Sequence, residues 1–289
     1  MVRMRCYAVA IALAAVAALG ARGPFCSAGT SPAPVTGIVG AMPSEVDSIE
    51  GQMSQKRAQL IRGVRFVTGL IGGRRAVIAR SGIGKVNAAM VTALLISHFG
   101  PSEVIFTGVA GGLNPELAPG DIVIGSKVAY HDYGFMGPDG FRREATANPI
   151  TGDDNPRFFA AEQRLVDAAN RAASVVQLSE VTTSQGTRRP NIIVGVIATG
   201  DMFVSSPSKA REIRESLGAD AVEMEGAAVA QVCSELGVPF LVIRSISDRA
   251  GASARAEMAR FLQTSAENSA KLTSAIVRML AGSRPKQSK

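Results

Sequence analysis

Asp220-Ala-Val-Glu-Met-Glu-Gly226 runs into the small, apolar Ala227-Ala-Val-Ala-Gln-Val-Cys233, and Val238-Pro-Phe-Leu-Val-Ile-Arg-Ser-Ile-Ser-Asp248 follows it. The first stretch sets Glu223 and Glu225 one residue apart in apolar surroundings. Burying an unpaired charge is strongly unfavourable, so a polar partner must lie between them. The second stretch reads as a short buried strand that delivers Arg244, Ser247 and Asp248 at its carboxyl end. Open α/β sheets place their ligands at that end of their strands.

The same alternation of strand, glycine turn and helix recurs upstream. Val35-Thr-Gly-Ile-Val-Gly40 reads as a first buried strand, and Pro43-Ser44 opens a helix, since proline suits the first turn. Residues 64–70 and 76–79 suit strands bracketing a Gly72-Gly73 turn, and 86–98 suit a buried helix. Val104-Ile-Phe-Thr-Gly108 is another apolar strand, expected to end in a glycine turn, Val109-Ala-Gly-Gly112. Residues 122–125, 128–132 and 192–198 add strand material, and 158–176 and 256–280 read as helices. The polar stretches 134–156 and 179–191 read as long surface excursions. The pattern predicts an α/β fold with a mostly parallel sheet.

The glycine turns Gly82-Ile-Gly84 and Gly108-Val-Ala-Gly-Gly112 would let backbone amides approach a ligand closely. Neither has the spacing of a P-loop or a dinucleotide fingerprint. Alone they distinguish poorly between a tight turn and a ligand cradle. Taken in order, however, Gly37-Ile-Val-Gly-Ala-Met-Pro-Ser-Glu-Val46, Ser81-Gly-Ile-Gly-Lys85, Thr107-Gly-Val-Ala-Gly-Gly-Leu113, Gly200-Asp-Met-Phe203, Val222-Glu-Met-Glu225 and Arg244-Ser-Ile-Ser-Asp248 resemble the 5′-methylthioadenosine/S-adenosylhomocysteine nucleosidases. The resemblance spans about residues 37–280. It implies a single-domain, three-layer α/β/α phosphorylase/nucleosidase fold with a central mixed β-sheet, a homodimer, and a cofactor-free hydrolysis that releases adenine and a thioribose.

The resemblance also implies roles by position. Asp248 would be the general acid to purine N7, with Ser247 orienting it. Glu45 would position and deprotonate the attacking water, although by itself it reads as an ordinary glutamate at a helix N-terminus. Glu225 would accept both ribose hydroxyls, with Glu223 beside it in the substrate-binding set. Met224 would pack on the sugar, Phe203 would stack on the purine, and backbone groups of Val204 would read its edge. Arg244 would touch the water or the sugar. Val109, Ala110 and Gly111 would bring backbone to the ligand, and Met42 and Phe66 would line the pocket for the 5′-alkylthio group. Two departures stand out. Val109 replaces a serine found in many bacterial members, and the stretch between His131-Asp132 and Gly200 is about thirty residues longer than in compact members of the family.

Composition limits the alternatives. The formal charge of +7 looks like a polyanion signal, but Arg3, Arg5, Arg22, Arg284, Lys286 and Lys289 lie in a leader and a tail, leaving the body near neutral. With no Trp and three Tyr, nucleic-acid stacking platforms are unsupported. Met1-Val-Arg-Met-Arg5 and the apolar residues 7–19 read as a signal peptide over 1–28, with small residues for cleavage near Ala21, Cys26 or Ala28. The apolar run is shorter than the roughly 20 residues of a membrane span. Export to the periplasm or medium follows, or a cytoplasmic location if the start codon is mis-assigned. Residues 29–36 read as a linker, 37–282 as the nucleosidase domain and 283–289 as a disordered tail. Cys233 reads as a packed core thiol, and no Cys/His cluster has metal-ligand spacing. Two rival functions remain open: a phosphate-dependent purine nucleoside phosphorylase, and a secreted nucleoside-binding or storage protein without turnover.

Overall fold

Alternating apolar side chains build the centre of the molecule. β1 (Val35–Gly40) is buried from its second residue onward. It sends Ile38 and Val39 into two different hydrophobic clusters, one on each face of the sheet. Two-sided burial is what a near-continuous apolar strand requires. The computed structural model describes residues 33–183 and 186–282. The expected signal peptide at 1–28, the start of the expected linker and the expected tail at 283–289 lie outside them. Val35 and Thr36, which the linker bounds include and the apolar pattern places in the first strand, belong to β1.

α1 (Pro43–Gly51) follows, then an antiparallel meander of β2 (Ser54–Ile61), β3 (Val64–Ile71) and β4 (Arg74–Arg80). Gly72 and Gly73 both have positive φ, the two-residue hairpin geometry that glycine adopts without strain. α2 (Lys85–Phe99), β5 (Glu103–Gly112) and β6 (Ile122–Tyr130) come next. The two polar excursions carry a hairpin each: β7 (Gly134–Gly137) with β8 (Gly140–Arg143), then, after β9 (Phe159–Ala160) and α3 (Gln163–Ala173), β10 (Val181–Thr183) with β11 (Gly186–Arg188). The chain closes with β12 (Ile192–Thr199), α4 (Pro207–Leu217), β13 (Ala221–Glu223), α5 (Gly226–Glu235), β14 (Phe240–Asp248) and α6 (Ala254–Gly282).

The main sheet runs β13-β12-β6-β14-β5-β1-β4-β3-β2, with β9 on β6. It is mixed: β14, β5, β1 and β4 are parallel neighbours, whereas β6 meets β14 antiparallel. Helices α1, α3 and α6 cover one face and α2 and α5 the other, which gives the three layers. α4 packs with the end of the sheet near β13.

One expectation is corrected here. Gly108 to Gly112 form no turn; they continue β5, which stays paired with β14 and then meets β13 antiparallel at Gly111 and Gly112. β5 pairs β1 only as far as Phe106, so its glycine half is free to bend toward β13. That bend closes the sheet around the carboxyl ends of its central strands.

Candidate active site

The carboxyl ends of β5, β13 and β14 and the start of α1 enclose a cleft whose empty volume is about 610 Å³. Thirteen of the residues singled out in the sequence share it or its floor. Met42, Glu45, Val109, Ala110, Gly111, Phe203, Val204, Glu223, Met224, Glu225, Ser247 and Asp248 line it, and Arg244 lies behind them. Glu45 and Asp248 face it along the same strand. A β-carbon on Gly108 would come within 2.3 Å of Glu45 Oε1, and one on Gly111 within 3.0 Å of Asp248 Oδ1. Those glycines are three residue steps apart along the strand, about 10 Å at roughly 3.3 Å per step.

Asp248 reaches the cleft through an irregularity in β14. Ile246 pairs with Ala110 and Asp248 with Gly111, so Ser247 is an extra residue. Successive strand residues normally face opposite sides; a bulge lets Ser247 and Asp248 line one cavity together. Ser247 Oγ lies 2.9 Å from Asp248 Oδ2 and 3.3 Å from the Ala110 carbonyl, and the Ala250 amide donates to Oδ1 at 2.9 Å. A hydroxyl has one proton, so Ser247 serves either form of the acid. It donates to the carboxylate, or accepts from the protonated carboxyl while donating to Ala110. Burial raises the Asp248 pKa and outweighs the two hydrogen bonds that lower it.

Glu45 sits in the first turn of α1, 1% exposed. The amides of Ala41 and Met42 donate to Oε2 at 2.7 and 2.8 Å, and the Val109 amide donates to Oε1 at 3.0 Å. Oε2 is saturated, which leaves Oε1 one lone pair for a further donor. Burial raises the Glu45 pKa against the opposing pull of Arg244 and these amides.

Arg244 is the polar partner that Glu223 and Glu225 require. Its Nη2 donates to Glu223 Oε2 and, at 3.2 Å, to Glu225 Oε2, while Nη1 lies 3.9 Å from Glu45 Oε1. The guanidinium is wholly buried, 4.4 Å from the centre of the Phe106 ring. It therefore reaches the three acids from behind, through these ion pairs. Glu223 also accepts from Thr199 Oγ1 and from the amides of Glu225 and Gly226, so its lone pairs are committed. It anchors the site from the cleft wall and has no lone pair left for a further donor. Glu225 accepts one bond per oxygen, from the Gly84 amide at 2.8 Å and from Arg244, and keeps one lone pair on each. Burial, only partly offset by Arg244, pushes its pKa up to about 7.

Phe66 is a correction. It is fully buried on β3 with its ring 5.2 Å from that of Phe99, part of the core beneath α2 and away from the cleft. An apolar residue on an apolar strand gives no sign of which cavity it faces. Conversely, Ile83, Met202 and Met258 line the cleft and were not singled out. Ile83 and Met202 lie within the quoted motifs, so membership of a motif was the available signal; Met258 had none.

A family described as the phosphorylase superfamily matches residues 35–278, and the chain belongs to it. Within that superfamily it belongs with the 5′-methylthioadenosine/S-adenosylhomocysteine nucleosidases. The protein of that name from Marinomonas sp. (strain MWYL1) is 41% identical over 249 residues, covering 86% of this chain and 99% of the relative. The crystal structure of the nucleosidase from Neisseria meningitidis in complex with methylthio-immucillin-A has a TM-score of 0.73 and 38% identity, covering 84% of this chain and 98% of that one. The nucleosidase from Colwellia psychrerythraea 34H in complex with adenine has a TM-score of 0.75 and 36% identity, covering 86% and 96%.

Proposed function

We propose that this protein hydrolyses the N-ribosidic bond of 5′-methylthioadenosine, S-adenosylhomocysteine or a related adenine nucleoside. One observation carries the reading: Glu45 and Asp248 open into one cleft from either end of the same glycine strand, with Glu225 in its wall. In the reaction, the C1′–N9 bond breaks toward an oxocarbenium-like sugar while Asp248 gives its proton to purine N7, since an adenine anion is a poor leaving group. The water oxygen bonds to C1′ as its proton passes to Glu45 Oε1. A buried carboxyl with a raised pKa suits both steps: Asp248 keeps a proton to give, and Glu45 becomes a stronger base. The two unused lone pairs of Glu225 match the two ribose hydroxyls.

Phosphorolysis would need a cationic cradle, and among the described residues lining the cleft there is no Lys or Arg. Arg244 lies behind the wall and is already shared by three carboxylates. A storage role without turnover would leave Glu45 and Asp248 without a proton transfer to serve. The test is chromatography of the base released from 5′-methylthioadenosine with and without phosphate. Equal adenine release in both supports hydrolysis, release only with phosphate makes the protein a phosphorylase, and tight binding without release makes it a storage protein.

The functional unit is proposed to be a homodimer. Ile83, Val86 and Met90 expose apolar surface at helical spacing beside the cleft mouth, a patch suited to burial against a second copy. The leader supports action outside the cytoplasm, where such an enzyme would salvage nucleosides. Both are read from one sample of the native protein, by sedimentation equilibrium and by sequencing its amino terminus.

A further inference from the structure

Three segments far apart in the chain meet over Glu225. Lys85, at the start of α2, extends Nζ to Asp132 just beyond β6, at 2.7 Å from Oδ1 and 2.8 Å from Oδ2. Asp201, in the loop after β12, accepts from the Lys85 amide at 2.9 Å and lies 3.7 Å from Nζ. The Asp201 amide in turn donates to Asp132 Oδ2 at 2.7 Å. The cluster is partly shielded, with side-chain exposures of 21% for Lys85 and 13% for Asp132, and the Tyr130 ring lies 5.4 Å from the ammonium.

The consequence falls on the next amide. α2 begins with two successive N–H groups that have no partner inside the helix, and each is taken by a different carboxylate. Lys85 N–H points to Asp201, and Gly84 N–H points to Glu225 Oε1 at 2.8 Å. Gly84 holds φ +100°, and a β-carbon there would lie 3.2 Å from Asp201 Oδ1, so the loop is closely seated on Asp201. Besides Arg244, the Gly84 amide is the group that fixes how Glu225 presents its free lone pairs.

We propose that Lys85, Asp132 and Asp201 form a clasp whose task is to position the ribose-binding carboxylate, acting on Glu225 through the Gly84 amide. The proposal rests on Glu225 receiving the ribose hydroxyls. Lys85 is thus a positioning residue, and loosening it should erode discrimination for those hydroxyls more than it erodes turnover in general.

The experiment measures kcat/KM for 5′-methylthioadenosine and for its 2′-deoxy and 3′-deoxy analogues, taking the ribo-to-deoxy ratio within each variant. A partly unfolded preparation lowers both terms equally and leaves the ratio unchanged. Glu225→Gln is expected to lower at least one ratio by about 10- to 100-fold, as for loss of a hydrogen bond to a charged group. Lys85→Met should lower the same ratio about three- to tenfold, chiefly through KM for the ribonucleoside, and Lys85→Arg should restore most of it. Lys85→Gln replaces the methionine variant if that protein does not accumulate. An unchanged ratio in the lysine variants, beside a collapsed ratio in Glu225→Gln, overturns the clasp and leaves the ribose reading intact. An unchanged ratio in Glu225→Gln overturns the ribose reading and this proposal with it.

Discussion

Asp248 combines three properties that an acid catalyst at neutral pH needs: a buried carboxyl, a neighbouring hydroxyl that serves both protonation states, and an opening onto the cleft. Asp248→Asn keeps the shape and removes the proton, so adenine release should fall by roughly a hundredfold or more, as expected for loss of general acid catalysis. Full activity in that variant would remove Asp248 from the reaction. Val109 poses a separate question at the same scale. It lines the cleft, but its contribution to Glu45 comes from the backbone amide, which any residue but proline supplies. Val109→Ser should therefore change kcat/KM by less than about tenfold, the scale of one neutral hydrogen bond, when read in the same base-release assay.

At the scale of elements, β5 is the strand on which the site is assembled. A β-carbon on Gly108 would fall 2.1 Å from Arg244 Nη1 and 2.3 Å from Glu45 Oε1. The glycine is required because its missing side chain is the space those charges occupy. Gly108→Ala should destabilise the fold by about 1–3 kcal/mol, in the range of overpacked cores, and should remove adenine release. A variant with normal melting and normal turnover would show that the strand can retreat. Much of this was legible in the sequence. Apolar runs located β1, β12 and β14, and the paired acids in apolar surroundings required a polar partner, which proved to be Arg244. The sequence did not reveal that Gly108 to Gly112 remain in a strand, because glycine-rich segments look alike in turns and in bent strands. β2 was also missed: nearly every residue in it is exposed, and its polar sequence lacks the alternation that half-burial imposes. Phe66 and the Lys85 clasp depend on which strands are neighbours, and that is settled only by the closed sheet.

For the whole molecule, the site is a source of instability as well as of chemistry. Burial lifts the Glu225 pKa from the ordinary 4.5 to about 7, so the native chain holds that proton more tightly than the unfolded chain does. Stability from this group is fully present below about 4.5 and is lost as pH rises toward about 7. Melting temperature of the parent should therefore fall more steeply across that interval than that of Glu225→Gln, and parallel curves would contradict the shift. His131, buried and with its pKa lowered by burial, pulls the other way in both proteins, so the difference between the curves isolates Glu225. The single guanidinium behind three acids has one further result. If positions 45, 223, 225 and 244 were randomised together and folded clones collected, survivors should be correlated: where the arginine is gone, at least one of its companions should be neutral too. Mutational drift at this centre must then proceed by compensated pairs, because a lone exchange strands a buried charge without its counter-ion.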